Sequence, residues 1–174
     1  MNGLKILGID LAGKKANPTG ICILNNDTIN LKTVFSDEQI LEILSIFKPD
    51  IIAIDAPIMS GKPRTRKADI LLKKYKALSP SMPTMKSLTI RGSKLATKLV
   101  GRFKVIEVFP TATAKILRIY SKNYREIESK LDINVKNKHE LDAYLCCLTA
   151  KMFLEGKTTE IGDEAGKIIV PKQI

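Results

Sequence analysis

The sequence predicts an α/β fold in one domain over residues 1–174: a mixed five-stranded sheet flanked by helices, with a basic helical insertion over about 60–102. Three observations predict it. Apolar runs of strand length recur at 4–10, 19–24, 28–35, 51–55 and 103–110. Apolar residues at helical spacing lie between and after them. The order joins a hairpin pair to a strand–helix–strand unit, so the sheet needs both parallel and antiparallel neighbours.

LKILGID (4–10) is the first strand. TGICIL (19–24) and TINLKTVF (28–35) are joined by Asn25-Asn26-Asp27, a plausible hairpin turn. Ser36 or Asp37 caps a helix whose stripe is Ile40, Leu41, Leu44 and Phe47. Pro49-Asp50 ends it. IIAID (51–55) is apolar with little alternation, as expected of a strand covered on both faces. Two helices are expected near 66–76 and 86–100, with the prolines of LSPSMPTM (78–85) breaking helix between them. FKVIEVFP (103–110) is the fifth strand, followed by a helix near 112–120. The polar segment 121–137 carries no clear signal. Asn137 opens the clearest helix, with Glu140 at capping-box spacing, a stripe of Leu141, Leu145, Leu148 and Met152, and Gly156 as its stop. KIIV (167–170) is a short closing strand against residues near 158–161, and EIGDEAG reads as a turn.

Hydrophobic residues make up 44% of the chain, which argues against wholesale disorder. Three cysteines, two of them adjacent, form no disulfide framework and read as buried thiols. No continuous apolar stretch reaches membrane-spanning length, so a soluble, cytoplasmic protein without membrane contact is expected. The net charge of +11 is concentrated. Residues 1–61 carry five basic and seven acidic side chains, 62–104 carry thirteen and one, and 105–174 carry eleven and ten. A field of this kind attracts a polyanion such as nucleic acid. The plain alternative is a solvated, lysine-rich helical surface.

Asp10 and Asp55 both end apolar strands, where α/β proteins commonly place ligands. Asp142 lies early on the last helix, with His139 three residues before it on the same face. Glu107 lies within the fifth strand. If the three aspartates converge, two carboxylates about 4 Å apart repel by roughly 4 kcal/mol at an effective dielectric near 20. Protonation, an arginine or a divalent cation must compensate. Oxygen ligands suit Mg²⁺ or Mn²⁺, and two such ions activate water and stabilise the leaving oxygen of a phosphodiester. Lys14, Arg64, Arg66 and Arg91 are candidate phosphate contacts.

This acid pattern resembles the ribonuclease H-like superfamily, especially its Holliday-junction resolvase branch. GIDLAG, PTG, IAIDAP, R-x-x-K-A-D-x-L-L at 64–72, RGSKLA, VIEVFPTATAKIL, HELDAYLCCLTA and IGDEAGKIIVP are together similar to the Domain of Unknown Function 429 family, predicted nucleases of the ribonuclease H fold. The resemblance implies a ribonuclease H-like domain in which Asp10, Asp55 and Asp142 hold two Mg²⁺ or Mn²⁺ ions. His139 matches an auxiliary acid or histidine. Glu107 is not at a usual acid position and is either an extra metal ligand or an arginine partner. A resolvase role would need a homodimer.

The leading expectation is a metal-dependent nuclease. The alternatives are a nucleic-acid-binding module without chemistry and a phosphotransferase. Gly8-Ile9-Asp10-Leu11-Ala12-Gly13 resembles the phosphate turn of actin-like and sugar-kinase folds, but those need two lobes, and the P-loop pattern is absent. Aromatics are 5% and tryptophan is missing, which disfavours a broad base-stacking platform.

Overall fold

The computed structural model describes residues 3–173. Seven strands are present among them: β1 (Lys5–Asp10), β2 (Thr19–Asn25), β3 (Thr28–Val34), β4 (Ile51–Asp55), β5 (Lys104–Val108), β6 (Thr158–Asp163) and β7 (Gly166–Pro171). Six α-helices accompany them: α1 (Asp37–Phe47), α2 (Lys67–Leu71), α3 (Pro83–Leu99), α4 (Pro110–Ile116), α5 (Tyr124–Leu131) and α6 (Lys138–Leu154). All seven strands join one mixed sheet in the order β3-β2-β1-β4-β5-β7-β6. The sheet therefore has seven strands where five are expected. The two additional strands form the C-terminal hairpin, and β7 pairs parallel with β5 through Glu107–Ile168 and Val108–Ile169.

The sheet is covered on both faces, which explains why β1 and β4 read as continuous apolar runs. One face meets α6, where Ile6, Cys22, Ile51, Ala53 and Val108 pack on Ala143, Cys146, Cys147 and Ala150. The other meets α1 and α3, where Leu7, Ile9, Ile52 and Ile54 pack on Ile40, Leu44, Leu95 and Leu99. Residues Leu141 and Leu145 of α6 turn toward α4 and α5 instead. The leucine stripe thus marks only one contact of that helix. Its sheet-facing side is built from small residues, because α6 lies so close to β1 and β2 that only glycine fits beneath it. A Cβ on Gly8 would strike the Ala143 carbonyl, and one on Gly20 the His139 carbonyl.

Several boundaries differ from expectation. The helix expected over 66–76 is α2 followed by a 3₁₀ turn at Lys73–Tyr75, ended by Lys76 in the left-handed region. The prolines of 78–85 do separate α2 from α3, but Pro83 itself opens α3, three residues before the expected start, and Pro110 opens α4 in the same way, in a first turn where a missing N–H costs nothing. Helix α5 occupies the segment without a clear signal, capped by Asn123. At α1, Ser36 and Gln39 form a full capping box. At α6, Asn137 accepts from the Glu140 N–H, while the Glu140 carboxylate takes the N–H of Lys136 and the hydroxyl of Thr33, one residue off the box.

Candidate active site

Asp10 and Asp55 end neighbouring parallel strands and stand opposite each other in register. Alternation along β1 and β4 places them on the same face as Ile6, Gly8, Ile51 and Ala53, the face under α6. Adjacent strands lie about 4.8 Å apart, so the two carboxylates start from that separation. Helix α6 brings Asp142 and His139 over them. Its position is fixed by the Gly20–His139 contact and by the Asn137 cap, whose side-chain amide also donates to Thr33 of β3. The His139 Nδ1 and Asp10 Oδ2 are 2.8 Å apart.

The electrostatics follow from this convergence. The Asp55 carboxyl is pushed well above the usual carboxylate range, first by burial, then by Asp10 and Asp142. No donor among the described residues bonds it, and the opposing charge is Lys138. Asp142 is pushed up to about 6, by burial and then by Asp10; Lys138, 3.5 Å away, pulls the other way. His139 is raised, chiefly by its bond to Asp10 and against the effect of burial. The site thus holds three carboxylates with one lysine and one histidine against them. An uncompensated set of hard oxygens suits a hard divalent cation. Asp10, Asp55 and Asp142 are the residues whose chemistry fits one. Among the described residues, though, no three His, Cys, Asp or Glu side chains already stand as a finished cage for an ion.

Glu107 lies on the opposite face of the sheet, level with Ile54. It is an arginine partner. Arg66 is 2% exposed, and every one of its five N–H donors is satisfied. Two go to Glu107 at 2.7 Å each, two to Asp69 at 3.1 and 2.8 Å, and one shares the Ile58 carbonyl beside Glu107. Glu107 also accepts the Ile58 N–H. This cluster clamps the chain leaving Asp55 onto β5. It engages Glu107 as an arginine partner, although the Glu107 charge still helps to raise the Asp55 carboxyl, and it removes Arg66 from the phosphate contacts, because a saturated, buried guanidinium has no donor to offer.

Arg91 is likewise spent inside. It binds Asp37 and the carbonyls of Ala12 and Phe35, tying the loop after Asp10 to the start of α1. Lys14 and Arg64 remain exposed. Sequence reasoning missed the Arg66–Asp69 contact although the two lie three apart in an R-x-x-D pattern; the pairing of Asp142 with a lysine at the start of its helix is readable from the sequence, and Lys138 is that lysine. The three cysteines are buried as expected.

No helix among the described residues is long and apolar enough to cross a membrane. No protein-family model matches the chain, and no curated protein matches it.

Proposed function

We propose that the chain is a metal-dependent nuclease of ribonuclease H-like type, hydrolysing phosphodiester bonds of nucleic acid. The observation that carries this reading is the in-register pair Asp10–Asp55 under Asp142, a carboxylate cluster with too little positive charge of its own. Asp10, Asp55 and Asp142 would hold Mg²⁺ or Mn²⁺. The metal, when bound, supplies Lewis-acid activation of water and neutralises the leaving oxygen, with two ions doing both.

The chain's own groups have separate tasks. His139, at 43% side-chain exposure, reaches solvent while bonded to Asp10, so it exchanges protons at the rim of the site. Lys138 balances Asp142 until a cation enters. The Arg66–Glu107 clamp fixes the loop that follows Asp55. Lys14 and Arg64 are exposed for phosphate contact.

A second reading, a nucleic-acid-binding module without chemistry, is favoured by the lack of a finished three-residue cage among the described residues. Labelled duplex, junction and single-stranded DNA and RNA, incubated in Mn²⁺, Mg²⁺ or chelator, separate the two. Metal-dependent cleavage that disappears in Asp10→Asn and Asp55→Asn supports the nuclease. Binding without cleavage, unchanged in both variants, rejects it in favour of the module.

A further inference from the structure

We propose that the outer ridge of α3 is a track for the phosphodiester backbone of a double-stranded nucleic acid, running beside the loops that follow Asp10 and Asp55. This rests on the nucleic-acid reading above and says where the polyanion lies.

Lys86, Ile90, Lys94 and Lys98 follow at four-residue steps and are all exposed. Each step advances about 6 Å and turns about 40°, so these residues follow one inclined ridge of the helix surface. Helix α3 has no acidic residue, and Lys86, Lys94 and Lys98 form no ion pair among the described residues. A merely solvated helix looks different: on α5, Arg125 pairs with Glu128 three residues on. The inner side of α3 is anchored by Leu95, Leu99 and the spent Arg91, so the ridge is presented on a fixed support.

Two open grooves of about 400 and 460 Å³ run along the ridge, and Ile90, Lys94 and Lys98 line both. Neither groove has an aromatic wall; both are mostly apolar, with the hydroxyls of Ser60, Ser87, Ser93 and Thr97 among their lining and, in one, the Asp37 carboxylate that Arg91 holds. The lysines between the grooves are the groups that meet phosphate, and a surface without aromatic rings cannot stack bases, which fits a duplex. Gly92 touches Ala56 and the Pro57 carbonyl, and Gly13 meets Ser87 and Leu88. The first half of α3 thus lies on the two loops that leave Asp10 and Asp55.

The test is fluorescence anisotropy of labelled DNA and RNA duplexes of about 20 base pairs, in chelator, from about 50 to 200 mM salt. Each phosphate contact contributes about 0.9 to the logarithmic salt slope. Changing Lys86, Lys94 and Lys98 together to alanine should lower the slope by nearly 3 and weaken low-salt binding about tenfold or more. Changing the three to arginine should preserve both. The control changes Lys67, Lys73 and Lys74 to alanine, removing the same charge from another exposed part of the basic segment; its slope should stay within about 1 of wild type. Equal losses in both alanine triples, an unaffected ridge variant, or no duplex binding by the wild type would overturn the proposal. The two duplexes identify which nucleic acid is held. Hydrolysis of bis(p-nitrophenyl) phosphate in Mn²⁺, too small to need the ridge, reports on the carboxylates separately. Failure of that reaction would count against the nuclease and leave the anisotropy result to decide the track.

Discussion

Asp142→Asn should make the metal-free protein more stable. The Asp142 carboxyl titrates near 6 in the folded chain against 3.8 as its ordinary value, because burial and Asp10 outweigh Lys138. Between those two values the folded state binds more protons than the unfolded state. Stability therefore falls as pH rises through the window, and above it the full cost is present. At 1.36 kcal/mol per pH unit, that cost is about 3 kcal/mol at pH 7. The side chain is 18% exposed, so solvent trims the figure without removing it. The Lys138 pair is already inside that figure, because its attraction helps to set the value near 6. The asparagine variant should gain about 2 kcal/mol at pH 7, or about 4–8 °C in Tm for a chain of this size. Urea titrations and thermal melts in chelator, from about pH 4.5 to 7, measure it. The gain should shrink steadily toward the acid end. A variant no more stable than wild type at pH 7, or a gain of constant size across the range, would refute the reasoning. Added Mg²⁺ should narrow the gap by stabilising the wild type alone.

The chain has a single histidine, so one imidazole NMR signal reports on the site. The His139 midpoint should lie above 6.5 and fall toward it in Asp10→Asn, with the bond's stabilising effect present below pH 6.5 and fading as pH rises through the folded midpoint; an unchanged midpoint would show that Asp10 does not hold the ring. Arg66→Met leaves Asp69 and Glu107 buried without a cation and should cost about 3–5 kcal/mol at pH 7 by urea unfolding, less at acid pH where the carboxyls take up protons. A loss below about 1 kcal/mol would mean that the cluster is open to water. Gly20→Ala drives a methyl group into the His139 carbonyl and should cost about 3 kcal/mol while displacing the His139 signal; a normal spectrum would mean that α6 does not rest on β2 there.

The aspartates were legible because a strand end announces itself: an apolar run stops at a carboxylate, and Asp10 and Asp55 do this in similar words. Asp142 followed from helical spacing. Glu107 was harder. Strand alternation fixes its face only once the register with β4 is known, and that register is a property of two segments about fifty residues apart, not of either one. The arginines failed for a related reason. Composition counts Arg66 and Arg91 as surface charge, yet burial depends on which carbonyls and carboxylates the fold brings to them. The hairpin β6–β7 is hard to read because its strands are half polar and parted by a two-residue turn, so their place in the main sheet comes from the pairing of β7 with β5. The sheet-facing side of α6 escaped notice because alanine and cysteine give a weaker periodic signal than leucine.

The packing of α6 sets the order in which the molecule comes into being. Strands β1, β2 and β4 are all synthesised before residue 56, yet the helix that covers one of their faces ends at Leu154. While the ribosome makes the intervening residues, Ile6, Cys22 and Ala53 have no permanent neighbour on that side. Contacts spanning so much chain form slowly, and the waiting face is a place where nascent chains adhere to each other or to a chaperone. Asp10 and Asp55 sit side by side throughout this interval, but Asp142 and His139 arrive only with the cover. The completed site and the completed core are thus the same late event, and a chain cut short before α6 would have neither.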